Sequence, residues 1–377
     1  MPQPKLSFAK VAIIIVTWNG RHFLEKCLPS LKKLDYPSSK VKTIIVDNGS
    51  RDGTIAWLKE NYPEIRVVKN KTNVGFAKSN NQGIRLALRD RKVKYVFTLN
   101  NDTEADTGML KNSVLFMEGA KNVGIGASKT INFANRSLID SAGDFFAKNT
   151  FRVINRGHLI KDRGQFDKTE EILSACAAAS IFRRKTLEEV KLGREYFDED
   201  FQSYIEDVDL NIRARLKGWK VFYIPSSVVY HVGSATASKL SKKFKEYVSR
   251  RNRVLMVVKN FPIPTMIFLL AKYILPTGRG ARYYLAKRAQ QVSKRGMGHY
   301  AKKGLTFYLK LVVERFIVTS DTQRLTVLEV LIVHIKALCA AGILLPKIID
   351  KRATIQRGRG VSEESIQSWL SEFVIPY

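Results

Sequence analysis

The apolar run Val11-Ala12-Ile13-Ile14-Ile15-Val16, ending abruptly in Thr17-Trp18-Asn19-Gly20, constrains this chain more than any other feature. A stretch that is apolar at every position has no face to give to water, so it fits a strand covered on both sides. It is too short to span a bilayer and lacks the small-residue cleavage site of a signal peptide. Leu24, Cys27, Leu28 and Leu31 then recur at helical spacing before a second apolar strand, Thr43–Val46. Helices around 55–61 and 77–89, with strands at 66–68 and 95–99, continue the alternation. The sequence predicts β-α-β units with right-handed crossovers, and hence an α/β, Rossmann-like, mostly parallel sheet flanked by helices.

In such sheets ligands bind beyond the carboxyl ends of the strands. Polar clusters fall at those ends: Thr17-Trp18-Asn19-Gly20, Asp47-Asn48-Gly49-Ser50 and Asn100-Asn101-Asp102. Each alone is ordinary turn chemistry; three in register predict one site. A carboxylate at Asp47 can accept from a ribose hydroxyl or a pyrimidine N–H. Asp102 suits a hard divalent cation, Mg2+ or Mn2+, shared with phosphate oxygens, and His231 after Val228-Val229-Tyr230 can add a nitrogen ligand.

A later helix is marked by Ile205, Val208, Ile212, Leu216 and Trp219, and it opens on Glu206-Asp207-Val208-Asp209. Acids in a first turn are favoured by the helix dipole in any case, but these three are not equivalent. Asp209 has Arg213 four residues on, which reads as a surface pair. Asp207 has Asn211 there and no local cation, so it is the candidate general base, with Glu206 as the neighbour that shapes the site.

There are 64 Lys+Arg against 34 Asp+Glu, a net charge of +30. Residues 240–377 carry +17 of it and are more than twice as basic per residue as the first 239. Such a field draws polyanions. No zinc-finger, RRM-type or helix-turn-helix signature accompanies it, which disfavours nucleic acid. Basic residues alternate with apolar ones over Tyr247–Asn260 and Arg279–Tyr284, as expected for helices on an anionic membrane surface. Thr326–Pro346 is the most apolar stretch, yet it holds Glu329, His334 and Lys336, and so predicts an in-plane or packed helix rather than a span. Cys27, Cys176 and Cys339 are isolated, which implies a reducing compartment.

These residues together resemble the inverting GT-A glycosyltransferases of family two, in particular the rhamnosyltransferase-like branch. Val11–Gly20 resembles the family's first strand and nucleotide-contacting turn, which would bring Thr17 and Asn19 to the donor. Ile45–Thr54 is similar to its second-strand signature, with Asp47 on the nucleoside. Asn73–Ile84 is similar to its Asn-Val-Gly-Phe segment, placing Asn73, Gly75, Phe76 and Asn81 along the donor pocket. Asn100-Asn101-Asp102-Thr103 stands where the family has Asp-x-Asp, with Asn100 replacing the first acid. Tyr204–Leu210 resembles the segment carrying the catalytic base, Asp207, and His231 falls where some members have a metal ligand. Arg251-Asn252-Arg253, Lys259-Asn260-Phe261-Pro262 and Lys351–Gln356 resemble the branch's membrane-attachment region.

The resemblance implies a nucleoside diphosphate sugar donor, a glycan or lipid-linked acceptor, and a peripheral place on the cytoplasmic face of the cell membrane. It divides the chain into a GT-A catalytic domain, 1–239, and a helical, basic, amphipathic membrane-association region, 240–377. The first has a nucleotide-sugar half of about 10–105 and an acceptor half of about 106–239. A dinucleotide-dependent oxidoreductase is excluded, because no GxGxxG follows the first strand. A nucleotidyltransferase would carry a Gly-rich basic loop where Thr17–Gly20 stands. A basic membrane- or nucleic-acid-binding protein on a degenerate transferase fold would have no use for Asp47, Asp102 and Asp207 together.

Overall fold

Strand β1 (Lys10–Thr17) splits its side chains between two cores, as a doubly covered strand must. Ala12 and Ile14 pack into one cluster and Val11, Ile13 and Ile15 into the other. The computed structural model describes residues 8–148, 150–233, 241–274 and 327–376; the basic segment Arg279–Tyr284 lies outside them.

After β1 come α1 (Arg21–Lys32), β2 (Val41–Asp47), α2 (Thr54–Asn61), β3 (Arg66–Lys69), α3 (Phe76–Leu88) and β4 (Val93–Asn100). β1 pairs in parallel with both β2 and β4, and β2 with β3. The second half adds β5 (Thr103–Ala105), α4 (Met109–Gly119), β6 (Val123–Asn132), β7 (Ile139–Ser141), β8 (Asp144–Ala147), β9 (Val153–Asn155), β10 (Glu170–Glu171), β11 (Ala179–Arg183), α5 (Arg184–Val190), α6 (Glu206–Leu216) and β12 (Lys220–His231). The main sheet runs β10-β12-β6-β11-β4-β1-β2-β3. β11 is antiparallel to both neighbours, so its start lies beside the carboxyl end of β4 and the middle of β6. That reversal brings residues 175–179 to the polar edge.

The C-terminal part contains α7 (Lys242–Asn260), α8 (Ile263–Ile274), α9 (Val327–Arg357), α10 (Glu363–Glu372) and β13 (Val374–Ile375). β13 pairs in parallel with β8, completing a three-stranded sheet β13-β8-β9. Leu255, Phe261, Ile348, Ile355, Ile366 and Trp369 share one apolar core with Ile14, Phe182 and Leu210, so the core continues past residue 240.

Two expectations are corrected here. Asp209–Arg213 is not a surface pair: both side chains are buried, their ion pair is 3.0 Å, and Asp209 also takes Lys259 Nζ at 2.8 Å and Asn260 Nδ2 at 2.7 Å. Spacing of four reported the contact but not its depth. Nor do all the polar residues of the tail face outward. Arg251, Asn252, Lys259 and Asn260 are buried, and Arg352 donates to the carbonyls of Val258 and Phe261.

Lys259 is fully buried and ion-pairs with both Asp198 and Asp209. Removing one partner of a buried pair strands the others, at about 3–5 kcal/mol. Lys259→Met is therefore expected to lose about that much in urea unfolding, whereas Lys347→Met, at the exposed pair with Asp200, should cost about 1 kcal/mol or less.

Candidate active site

The polar edge is assembled by strand register. Thr17 at the end of β1 lies opposite Asp47 at the end of β2, while Val16 lies opposite Asn100 at the end of β4. Asn101 Nδ2 donates to Thr17 Oγ1 at 2.9 Å. A Cβ on Gly20 would meet that amide nitrogen at 2.1 Å, so a side chain there would displace the Asn101 amide from Thr17. Asn19, at φ 48°, ties the first two turns together: its amide donates to Ser50 Oγ and its side chain accepts from Arg51 N.

Asp47 is buried. Its Oδ2 accepts from the amides of Gly49 at 3.2 Å and Ser50 at 3.0 Å. Its Oδ1 has no partner among the described residues. A buried acceptor left open costs about 1–3 kcal/mol, and a ligand N–H or O–H would recover it.

Asp102 lies at the β4–β5 turn, with Oδ1 3.3 Å from His231 Nε2; Asn100 Nδ2 is 3.4 Å from the same nitrogen. Nδ1 of His231 meets Asp140 Oδ2 at 2.8 Å. Burial works against charge on the ring, but Asp102 and Asp140 outweigh it and raise His231 to about 10. The space between these carboxylates is thus built for positive charge. A carboxylate and an imidazole oriented by a second carboxylate fit a Mg2+ or Mn2+ site, although no cluster of three or more acidic, His or Cys ligands occurs among the described residues.

Asp207 reaches the same edge from the first turn of α6. Its Oδ2 accepts from Ala177 N at 3.1 Å, and the neighbouring Ala178 carbonyl accepts from Asn100 N at 2.9 Å. Its Oδ1 accepts from Val208 N at 2.8 Å. Low-polarity surroundings raise its pKa, partly offset by those amides and by the Cys176 thiol. The side chain is half-buried, which leaves a path to a substrate. Glu206 is buried, with one carboxylate oxygen unpartnered, and is pushed well up by burial and by Asp207.

The segment 198–205 leads into α6 and carries three non-glycine residues at positive φ: Gln202 at 62°, Tyr204 at 68° and Ile205 at 70°. Each costs on the order of 1–3 kcal/mol and persists only where its surroundings hold it. The segment also supports the Asn73–Phe76 stretch. Ala77 N donates to the Gln202 carbonyl at 2.9 Å, and a Cβ on Gly75 would stand 3.0 Å from that oxygen. Asn73 Oδ1 accepts from Gly75 N, while Phe76 is edge-on to Phe197 and half in the core.

Asn81 does not line a pocket. It is fully buried, its Oδ1 accepts from Tyr196 N and Phe197 N, and its Nδ2 donates to the Phe197 carbonyl and Glu199. Both ends of its amide are spent on the 196–199 segment.

Sequence reasoning missed Asp140, Asp144 and Cys176. Asp144 is buried on β8, with one oxygen unpartnered, and burial and Asp207 drive its pKa well up. The only sequence signal was two acids flanking the small residues Ser141-Ala142-Gly143, which is also what a tight turn looks like. A cleft of about 730 Å³ between β3, α3 and residues 194–199 lies apart from this edge; its two acids, Glu195 and Glu199, are tied to Lys351 and Arg85.

Comparison with known proteins bears on this geometry. The sequence model of glycosyl transferase family 2 matches residues 12–191. Those residues form a glycosyl transferase family 2 domain. The transferase is 23% identical over 261 residues, covering 67% of this chain and 75% of the relative, to the dolichyl N-acetyl-alpha-D-glucosaminyl phosphate 3-beta-D-2,3-diacetamido-2,3-dideoxy-beta-D-glucuronosyltransferase of Methanococcus voltae. It is 24% identical over 242 residues, 58% of this chain and 75% of the relative, to the N-acetylglucosaminyl-diphospho-decaprenol L-rhamnosyltransferase of Mycobacterium tuberculosis.

Its fold is GT-A, shared with the mannosyltransferase PcManGT from Pyrobaculum calidifontis, solved with GDP-Man and Mn2+ (TM-score 0.51, 16% identity, 90% of this chain and 87% of that one). GalNAc-T7, solved with UDP, GalNAc and Mn2+, shares it too (TM-score 0.55, 14% identity, 72% of this chain and 52% of that one). The family match ends at Lys191, before Asp207 and His231.

Replacing Asn81 with Ala should lower unfolding free energy by about 1–3 kcal/mol, because buried amides lose their acceptor. Nucleotide affinity measured by calorimetry should stay within about twofold, since the side chain does not reach the edge.

Proposed function

We propose that the transferase moves a glycosyl group from a nucleoside diphosphate sugar to an acceptor hydroxyl with inversion, Asp207 acting as general base. The observation that carries this reading is the half-buried Asp207 carboxylate, aligned by two backbone amides on the edge that also bears Asp47 and the Asp102–His231–Asp140 group. Asp47 Oδ1 would accept from the nucleoside, with Thr17, Asn19, Asn73, Gly75, Phe76, Asn100 and Asn101 forming the walls around the donor. Asp102 and His231 would hold Mg2+ or Mn2+, which when bound neutralises the departing diphosphate.

Asp207 takes the acceptor proton as the acceptor oxygen bonds to the anomeric carbon, and the carbon–oxygen bond to the diphosphate breaks on the opposite face. One base suffices, unlike the two carboxylates of a hydrolase. Raised above its ordinary value, the Asp207 carboxylate is a stronger proton acceptor in its ionised form. Glu206, beside it, is itself raised by burial and by the Asp207 charge.

Asp207→Asn is expected to abolish nucleoside diphosphate release and leave donor affinity within about threefold, whereas Asp102→Ala should weaken donor binding only when Mn2+ is present. The acidic limb of the wild-type pH profile should lie above the ordinary carboxylate range, because the base must be deprotonated to act. Donor affinity falling in step with turnover in Asp207→Asn would remove the base assignment.

The acceptor in this reading is lipid-linked and the protein lies on the inner face of the cell membrane, residues 240–377 forming the attachment region beside the catalytic domain. Ile263, Ile267 and Phe268 on α8, and Ile332, Ile335, Ile343 and Ile349 on α9, are exposed. Leu331–Arg357 is long and apolar enough to cross a membrane. We read it as lying in the bilayer surface, because its Lys351, Arg352 and Gln356 hold the 195–200 segment and α7. Ile343→Glu with Ile349→Glu is expected to cut co-sedimentation with anionic vesicles about tenfold; retention at the wild-type level would show that this face does not meet lipid.

A further inference from the structure

We infer that Asn252, together with Lys259 and Lys351, positions the catalytic base, so that the C-terminal helices are part of the catalytic apparatus as well as an attachment region. The inference rests on the assignment of Asp207 above.

Residues 198–205 have no strand ladder to hold them, and three of them occupy the left-handed region. α6 begins at the end of this segment, and Ile205, the residue preceding the helix, offers no side-chain cap. The direction of the first turn, and with it the Asp207 carboxylate, therefore depends on what fixes the carbonyls upstream. Those carbonyls are fixed from α7. Asn252 is fully buried, and its amide nitrogen faces the carbonyls of Phe201 at 2.8 Å, Ser203 at 2.9 Å and Tyr204 at 2.7 Å. Arg251 Nη2 donates to the carbonyls of Asp200 at 3.0 Å and Phe201 at 3.2 Å, and its Nε holds Asn252 Oδ1 at 3.0 Å.

A second set of contacts fixes the flanks. Lys259 bridges Asp198, at the start of the segment, to Asp209 on α6, two residues past the base. From α9, Lys351 Nζ lies 2.5 Å from Asp198, 2.7 Å from Asp200 and 3.1 Å from Glu195. Cations from two helices of the tail thus hold the start of the segment and the helix that follows it.

The same segment seats the donor-side stretch, since the Gln202 carbonyl accepts from Ala77 N and Ser203 Oγ is 3.4 Å from Phe76 N. Donor pocket and base are therefore referenced to one strained piece of backbone, and the tail holds that piece. The base itself touches none of these residues, so they act through the segment that carries it.

The test uses the full chain and two readouts. A panel of UDP-, GDP- and dTDP-sugars with Mn2+ is first screened for nucleoside diphosphate release. With a donor in hand, Asn252→Ala is expected to lower kcat about tenfold or more, to change donor affinity about threefold or less, and to move the acidic limb of the pH–rate profile, because a displaced carboxylate titrates in different surroundings. Independently of activity, hydrogen exchange over residues 202–207 should speed up about tenfold relative to the β1 and β4 core.

If Asn252→Ala does not fold, Lys351→Met is measured the same way, and Lys351→Arg should restore part of the rate. A folded variant with unchanged exchange and an unchanged pH limb overturns the inference. No release by the wild-type chain from any donor overturns the transferase reading instead, and the exchange measurement still decides whether the tail holds the segment.

Discussion

The Lys259 ammonium is shut off from water, and the two carboxylates it pairs with, those of Asp198 and Asp209, are equally dry. Burying one ion costs several kcal/mol, so an isolated lysine there would be neutral or expelled. It is tolerated because Glu195, Asp198, Asp200 and Asp209 gather against Lys259, Lys347, Lys351 and Arg213 in one group. Burial by itself would raise Asp198, yet Lys259 and Lys351 hold it far below the usual carboxylate range. This charge-balanced group touches both ends of the segment with three positive-φ residues, through Asp198 and Asp200 at its start and Asp209 on the helix that follows. The tail, residues 198–205 and α6 all meet in that group.

The candidate site shows the complementary use of burial. At Asp47 a carboxylate oxygen is kept without a partner, and at Asp144, Glu206 and Asp207 burial raises the carboxyls instead of pairing them. Between Asp102 and Asp140 the balance reverses: the two carboxylates outweigh burial and raise the His231 pKa. Acids that are paired and acids that are not lie within one helix: Asp209 faces the cations of the tail, while Asp207, two residues earlier, faces the strand ends. A helix turns by about 100° per residue, which is enough to separate the two environments.

The tail buries polar and basic side chains alongside its apolar ones. In α9 the residues that reach inward include Lys351, Arg352 and Gln356, whereas Ile343 and Ile349 face out. The basic residues that gave this region its charge are in part internal cations of the transferase. An amphipathic pattern states that a helix has two faces; it does not state which one is wet. This is why Arg251, Asn252 and Lys259 read from sequence as attachment residues and stand in the structure as supports of the 198–205 segment.

Local pattern was enough for the β-α-β order, the doubly buried first strand and the three polar strand ends, because these follow from periodicity and from turn chemistry that act over a few residues. It also set Asp207 apart from its neighbours, since the absence of a cation four residues on is a local fact. Depth and partnership came from the assembled fold: that Asp209 is buried, that Asn81 is spent on a loop, that Asp140 and Asp144 come within reach of the site, and that residues 251–259 grip the entrance to α6. Those outcomes depend on contacts between segments tens of residues apart. Burial sets both the cost of a charge and the direction of a pKa shift, and it is a property of the packed molecule that no short stretch of sequence carries.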